Sequence, residues 1–193
     1  KKINIHIKVD SGMHRQGFME DEMAQVINLL KKYPACIHVE GLYTHFASAK
    51  DPAHPESVIK QLEVFKKWIV SFKDGGFSPL VHASATSGAI IFPETHFGMV
   101  RVGAGLYGVW PSEQIMHAYE NKMTLLPALT WKTIISEIKS LKAGEKIGYD
   151  FTEELMRDSR IAICPVGYWH GYPRSLSGKG VVLVGEKKVR VLG

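Results

Sequence analysis

The sequence predicts an α/β domain of parallel strands, of the (β/α) barrel type, followed by an all-β domain. Predicted strands and helices alternate over about the first 110 residues, and polar side chains gather where the strands end. Strand patterns without long helices follow them. We therefore expect one domain over residues 1–120 and a second over residues 121–193. A dinucleotide-binding sheet is disfavoured because no GxGxxG follows a predicted strand.

Each element of the first domain has its own pattern. Residues 3–10 alternate and are rich in β-branched side chains, which is typical of a strand. Residues 19–32 carry apolar side chains at helical spacing, and Pro34 ends that helix. On the next helix we expect one side to carry Ile59, Leu62, Phe65, Trp68 and Ile69. The predicted order is strand 3–10, helix 19–32, strand 37–46, helix 56–73, strand 80–84 and strand 103–109. These elements make about four of the eight units that a complete barrel needs.

The second domain is predicted from short apolar runs separated by turn residues. Residues 185–188, GEKK, are typical of a hairpin turn between two short strands. The predicted strands are 125–138, 160–166, 180–184 and 189–191.

Composition narrows the classes of function. The 24 Lys and Arg residues exceed the 19 Asp and Glu residues to give a net charge of +5, but no basic block is interleaved with aromatic residues. Nucleic acid is therefore a weak hypothesis, and no apolar run approaches the roughly 20 residues of a membrane span. The two cysteines, Cys36 and Cys164, form no CxxC pair, so we expect neither a metal site nor a disulfide framework. A reducing, cytoplasmic setting is the default expectation.

Arg101 is the most informative single residue. It lies between apolar runs and beside glycines, in the segment MVRVGAG at residues 99–105. A buried guanidinium needs acceptors for its donors, and glycines allow a bulky group to approach the backbone. This combination indicates an anionic or heteroaromatic cofactor. The alternative is an ordinary salt bridge at the end of a strand.

Other polar residues occur at or just after the ends of the predicted strands. In parallel α/β folds the carboxyl edge of the sheet carries the active site, so we expect these side chains to meet there. They are Lys8, Asp10, Arg15, His45, Ser84 and Thr86.

Four groups of motifs together resemble the alanine racemase family. They are KVDSGMHRQG at 8–17, GLYTHFA at 41–47, FGMVRVG with LYG at 97–108, and the Gly-Tyr pairs of 148–149, 167–168 and 171–172. The resemblance implies the C-terminal half of a (β/α)8 TIM barrel followed by the start of an all-β domain. It also implies an isomerase that uses pyridoxal 5'-phosphate to interconvert L- and D-alanine by a two-base mechanism, supplying peptidoglycan. The implied partners are a small amino acid and a second copy of the chain.

The same resemblance assigns roles to residues around the cofactor. Arg101 would contact the pyridine nitrogen. Thr86, with the backbone of Gly103 and Ala104, would hold the phosphate. Tyr149 would be a catalytic base acting in the active site of the other subunit, and His45 would link it to Arg101.

Substrate contacts are implied at the remaining matched positions. Arg15 would bind the substrate carboxylate beside a carbamylated Lys8, while Tyr168 and Arg174 would line the substrate corridor. Three departures from the family pattern leave the identity of the amino-acid substrate open. SATS replaces ANSA at 84–87, Lys50 replaces the corridor aspartate, and GYWHG replaces GYADG at 167–171.

The family's Schiff-base lysine segment, similar to VKANAYGHG, does not occur in these residues. We therefore expect this chain to be the middle of a longer racemase and to be inactive alone. The alternatives are a serine or broad-specificity amino-acid racemase, a non-catalytic pyridoxal-phosphate-binding protein and a structural pseudo-enzyme. The predicted β-domain with Tyr149 argues against the second of these.

Overall fold

A computed structural model describes residues 2–193, which form two compact units. The first unit ends at Leu129 and the second runs from Thr130 to Gly193. In the first unit four parallel strands are hydrogen-bonded in the order β1-β2-β3-β4. Its strands and helices are β1 Ile3–Lys8, α1 Met23–Lys32, β2 Ile37–Tyr43, α2 Glu56–Asp74, β3 Leu80–Ala85, α3 Thr86–Ile91, β4 Met99–Arg101 and α4 Glu113–Tyr119.

The core of the first unit lies between one face of this sheet and the helices α1 and α2. Ile7 and Leu42 point from the sheet into the core, where Phe65 and Trp68 of α2 are fully buried. Ile59 does not face the core as predicted, since it is 47% exposed and its neighbour Val58 is buried instead. The helix is therefore rotated slightly from the predicted face. Its buried residues are Val58, Gln61, Leu62, Phe65, Trp68 and Phe72.

The opposite face of the sheet carries polar and aromatic side chains. Successive strand residues point to opposite faces, so the neighbours of the core residues project away from the helices. His6, Tyr43, His82 and Arg101 contact one another on this face. The strand period therefore divides one sheet into a packing face and a polar face.

The predicted strand at 103–109 is wrong. The fourth strand is the shorter segment β4, which pairs with β3 through His82 opposite Met99 and Ala85 opposite Arg101. Residues Ala104–Tyr107 form a 3-10 turn that ends at Gly108, whose φ is 73°. The chain therefore leaves the sheet directly after Arg101, and the glycines allow it to turn there.

The second unit consists of three antiparallel strand pairs. β5 Glu137–Leu141 pairs with β8 Ser159–Ile163, β6 Lys146–Ile147 pairs with β7 Glu153–Glu154, and β9 Val181–Val184 pairs with β10 Lys187–Arg190. The predicted strand at 125–138 is wrong for most of its length, because ladder pairing begins only at Glu137. The predicted hairpin is present, with a two-residue turn at Gly185 and Glu186.

None of the helices within residues 2–193 combines the length and the apolar character that crossing a membrane requires.

Candidate active site

Arg101 is the last residue of β4, and acceptors from two neighbouring strands and the residues that follow them hold its guanidinium. Nη1 donates to Nδ1 of His82 at 2.6 Å, and Nη2 donates to the carbonyl oxygens of Thr44 and Ala83, each at 2.8 Å. Nη2 also lies 3.3 Å from Nδ1 of His45. Within the described residues its Nε–H has no acceptor. The guanidinium is thus fixed in place while its Nε–H stays free.

Two rings reinforce this position. The ring of Tyr43 stacks on that of His82, with centroids 4.9 Å apart and planes 6° apart. Cζ of Arg101 lies 5.3 Å from the centroid of Tyr43, within the range of a cation–π contact. Burial lowers the pKa of Arg101, and Tyr43 partly offsets this, but a guanidinium remains charged at neutral pH. A rigid positive charge results.

His82 is neutral in this arrangement. Its side chain is buried, with 3% of the residue exposed. A guanidinium can only donate hydrogen bonds, so Nδ1 of His82 must accept from Arg101 and carries no proton. Burial first, then the charges of Arg101 and His6, lower the pKa of His82 from 6.5 to about 4. Protonation would remove the acceptor that Arg101 uses.

The pKa of His82 predicts that acid destabilises the protein. A depressed histidine pKa favours the neutral folded form, so the stabilisation is present above pH 6.5 and is lost as the pH falls towards 4. Between pH 7 and pH 5 we expect this residue to lower the free energy of unfolding by about 2 kcal/mol. Urea unfolding at pH 7 and at pH 5 should show a loss of stability that is about 2 kcal/mol larger in the wild type than in His82→Asn. Asparagine keeps an acceptor but does not titrate.

His45 contributes to the pH dependence of stability in both the wild type and His82→Asn. Burial, then the charges of Arg101, Arg15 and Lys8, lower its pKa as well. The difference between the two proteins therefore excludes the contribution of His45. Equal pH dependence in both would contradict the assignment.

Asp10 organises the loop that ends in Arg15. Its Oδ1 accepts from the backbone N–H groups of Gly12, Met13 and His14 at 2.9 to 3.0 Å, and its Oδ2 accepts from that of Arg15 at 3.0 Å. Burial raises the pKa of this carboxyl, but the four N–H donors together outweigh it and the net pKa is lowered. Since Asp10 is occupied by backbone donors, it forms no ion pair with a lysine within residues 2–193.

Replacing Asp10 with asparagine is expected to lower the free energy of unfolding by about 2 kcal/mol at pH 7. The NH2 group of asparagine cannot accept from Arg15 N–H, and the other three hydrogen bonds lose the charge of their acceptor. The lowered carboxyl pKa stabilises the fold at neutral pH, and this effect disappears as the pH falls below the ordinary value of 3.8. Urea unfolding measures the change. Exposed Asp21→Asn is the matched control, with an expected change within about 0.5 kcal/mol. Equal stability of the two variants would show that the loop does not depend on Asp10.

Thr86 joins the two segments that leave the sheet beside Arg101. It is 8% exposed, and its Oγ1 accepts from the N–H of Gly103 at 3.0 Å. A side chain at Gly105 would come within 2.8 Å of Cγ2 of Thr86, so the 3-10 turn lies against it. The first hydrogen bond of that turn runs from Leu106 N–H to Gly103 O, which leaves the N–H of Ala104 unused by the turn.

The sequence-predicted residues of the first unit gather at one edge of the sheet. Lys8 ends β1 and is half-buried, and Arg15 is exposed at the end of the Asp10 loop. Their charges lower the pKa of His45, after burial and Arg101. The side chains of Lys8 and Arg15 make no hydrogen bond or ion pair with residues 2–193.

The predicted site residues of the second unit are exposed within that unit. Tyr149 is 92% exposed and Tyr168 is 75% exposed, and Arg174 is also exposed. Tyr149 follows Gly148, whose φ is 81°, and precedes Asp150 and Phe151, whose φ values are 57° and 52°. Tyr168 and Arg174 each begin a short 3-10 turn, at residues 168–170 and 174–176 respectively.

Sequence reasoning missed His82 and His6, whose rings are hydrogen-bonded at 2.9 Å. Both belong to predicted strands, but neither residue was assigned a role. The period of two along a strand was the available signal, because it places His6 on the same face as Lys8. Tyr43, at the end of β2, also lies within this cluster.

The chain belongs to the alanine racemase family. The family model described as "Alanine racemase, N-terminal domain" matches residues 1–111, and "Alanine racemase, C-terminal domain" matches residues 128–193. The resemblance carried by the motifs is therefore confirmed. The fold class is confirmed as well: part of a (β/α)8 barrel followed by part of an all-β domain.

Individual relatives agree with the family. The alanine racemase of Leptospira interrogans is 38% identical over 98% of this chain and 49% of its own length. The crystal structure of alanine racemase from D-cycloserine-producing Streptomyces lavendulae superposes with a TM-score of 0.82 at 31% identity, covering 98% of this chain and 50% of that one. The structure from Bartonella henselae, which contains covalently bound pyridoxal phosphate, gives 0.75 at 26% identity over 97% and 49% of the two chains. This chain thus spans about half the length of the relatives that it matches.

Proposed function

We propose that this chain contributes the arginine, the phosphate-binding residues and one of two catalytic bases to a pyridoxal-phosphate-dependent alanine racemase. The observation that supports it most is the guanidinium of Arg101, which protein acceptors hold while its Nε–H remains free. Membership of the alanine racemase family adds the substrate class. The product would be D-alanine, a building block of peptidoglycan.

The donors at this sheet edge fit pyridoxal phosphate. The free Nε–H of Arg101 suits an unprotonated ring nitrogen. The Thr86 hydroxyl and the Ala104 N–H are donors for a phosphate, and Gly103 N–H positions Thr86. The carboxyl edge of the last barrel strands commonly holds phosphate in folds of this type. When bound, the cofactor supplies an electron sink that acidifies the substrate Cα–H.

Arg101 determines how strong that sink is. A guanidinium does not release its proton at neutral pH, so the ring nitrogen that it contacts stays unprotonated. A weaker sink limits side reactions that need more electron withdrawal. His82 and the two backbone carbonyl groups keep the charge in one orientation.

Racemisation needs a proton donor or acceptor on each face of the substrate Cα. We assign one face to the phenol of Tyr149. An ordinary phenol has a pKa near 10, so the base needs nearby cations to act at neutral pH. Arg101 and Arg15 are the cations proposed for this purpose, with His45 linking the phenol to Arg101. The other face would be served by a lysine of the Schiff-base kind, which the motif resemblance implies outside these residues.

Substrate binding is assigned to three cationic or phenolic groups. The planar guanidinium of Arg15 suits the substrate carboxylate, and Tyr168 and Arg174 line the approach. Lys8 would carry a carbamate, formed when its neutral amine attacks carbon dioxide and releases a proton, and this anion would orient Arg15. A carbon-13 resonance from labelled bicarbonate that persists in Lys8→Ala would refute the carbamate.

The active form would be a homodimer in which Tyr149 acts in the partner's site. Tyr149 is exposed within its own unit, which leaves it free to contact a second chain. Specific activity of the full-length protein should therefore fall on dilution below the dimer dissociation constant. Sedimentation of a fully active monomer would exclude this arrangement.

Turnover of L-alanine and of L-serine by the full-length protein tests the function. We expect D-alanine to form from L-alanine, with the absorbance of bound cofactor present. Preference for L-serine would favour the serine or broad-specificity racemase, for which Lys50 and His170 at altered motif positions are the supporting observation. Bound cofactor without turnover of either substrate would instead indicate a non-catalytic pyridoxal-phosphate-binding protein.

A further inference from the structure

Four polar side chains form a continuous series that ends at Arg101. Oε2 of Glu40 lies 3.6 Å from Nε2 of His6. Nδ1 of His6 lies 2.9 Å from Nε2 of His82, and Nδ1 of His82 lies 2.6 Å from Nη1 of Arg101. The side chain of His6 is 33% exposed and that of Glu40 is 51% exposed. The series therefore connects the half-buried arginine with the outer part of the sheet.

The direction of every hydrogen bond in the series follows from Arg101. A guanidinium can only donate, so Nδ1 of His82 accepts. A neutral imidazole with an accepting Nδ1 carries its proton on Nε2, and this Nε2–H must donate to Nδ1 of His6. His6 in turn carries its proton on Nε2, on the side of the Glu40 carboxylate.

Gly41 makes the contact between the two histidines possible. His6 is on β1 and His82 is on β3, so β2 lies between them. Gly41 is the residue of β2 opposite His6, and a Cβ at this position would overlap Nδ1 of His6. The missing side chain therefore lets the ring of His6 lie over β2 and reach His82 on the next strand.

We propose that His6 is a positioning residue for the racemase reaction: it accepts from Nε2–H of His82, holds His82 in the tautomer that Arg101 requires, and so fixes the guanidinium against the cofactor. This rests on the proposed function. Without His6, the Nε2–H of His82 loses its acceptor and the ring is free to tilt or to exchange tautomers. Arg101 then loses its shortest contact.

Two substitutions at His6 separate the acceptor from the ring. His6→Leu removes the acceptor and replaces the imidazole with an apolar side chain of similar size. His6→Asn restores an acceptor, because its Oδ1 occupies about the place of Nδ1. In the full-length protein we expect kcat to fall about fivefold in His6→Leu, with KM changed less than twofold, and to stay within about twofold of the wild type in His6→Asn. His38→Leu, at an exposed position of β2, is the matched control and should match the wild type.

A second readout does not depend on turnover. Nitrogen-15 spectra of the histidine rings report which nitrogen carries the proton. In the full-length protein without cofactor, we expect His82 to show a fixed Nε2–H pattern in the wild type and in His6→Asn, and averaged signals in His6→Leu. Gly41→Ala should displace the His6 ring and reproduce the spectrum of His6→Leu, which keeps the inference testable if the leucine variant fails to fold.

The outcomes distinguish this inference from the proposed function. An inactive wild type with a fixed His82 pattern that His6→Leu disrupts would overturn the function and keep the link between the histidines. An active wild type whose kcat and His82 signals are unchanged in His6→Leu would overturn the inference alone. A fall in kcat that His6→Asn fails to rescue would also overturn it, because an acceptor at that position would then not matter.

Discussion

Replacing Tyr149 with phenylalanine is expected to lower kcat for alanine racemisation by about 10² to 10⁴-fold in the full-length protein, the usual contribution of a general base. The substitution removes one oxygen from a side chain that is 92% exposed within its unit. It should therefore change neither folding nor cofactor binding. The loss should fall on one face of the substrate, because the base on the opposite face remains.

Solvent isotope exchange detects this one-sided loss. Incubation in deuterated buffer should still exchange the α-proton of one alanine enantiomer, while exchange of the other slows in parallel with racemisation. Exposed Tyr33→Phe is the control and should keep wild-type rates. Unchanged turnover in Tyr149→Phe would refute the role, and equal slowing of exchange for both enantiomers would show that the phenol does not serve a single face.

Replacing Arg101 with methionine is expected to have the largest effect on stability, about 4 kcal/mol. Methionine roughly fills the space but donates nothing, so the carbonyl groups of Thr44 and Ala83 and Nδ1 of His82 lose their donor. A buried acceptor without a partner costs about 1 to 3 kcal/mol. The contact of the guanidinium with the ring of Tyr43 is lost as well.

Urea unfolding of the protein without cofactor measures this loss apart from any effect on binding. Arg160→Met is the matched control, since Arg160 is exposed on a strand of the second unit and its loss should stay within about 0.5 kcal/mol. The free energy of unfolding of Arg101→Met should fall well below that of the control. A loss below about 1 kcal/mol would mean that water satisfies the three acceptors and that the arginine does not stabilise the fold.

Local patterns predicted most of the first unit. The alternation in Ile3–Lys8 and the helical spacing in Glu56–Asp74 are strong, because each element buries one face against the other. The strand that ends at Arg101 was not predicted, because the predicted fourth strand began only at Gly103. The errors occurred where a hydrophobic run lacks a strand partner. Residues 103–109 are apolar enough for a strand, but Gly103 and Gly105 permit a tight turn instead.

The contacts of the site depended on strand order, which the local sequence does not contain. His6 and His82 are 76 residues apart and meet across an intervening strand. Their contact requires both the parallel register and the missing side chain at Gly41. The resemblance to a family gave roles to Arg101 and His45, but it did not indicate which groups hold Arg101. That role belongs to His82 and to two carbonyl groups, and carbonyl groups leave no sequence signal.

The turn that carries Tyr149 has a consequence for evolution and design. Asp150 and Phe151 both have left-handed backbone conformations, which disfavour side chains other than glycine by about 1 to 2 kcal/mol each. Glycine at position 150 would relieve that penalty, yet it would also free the loop to sample many orientations of the phenol. A protein optimised for thermal resistance alone would therefore drift towards glycine here, whereas one selected for an accurately aimed hydroxyl would keep the strained pair.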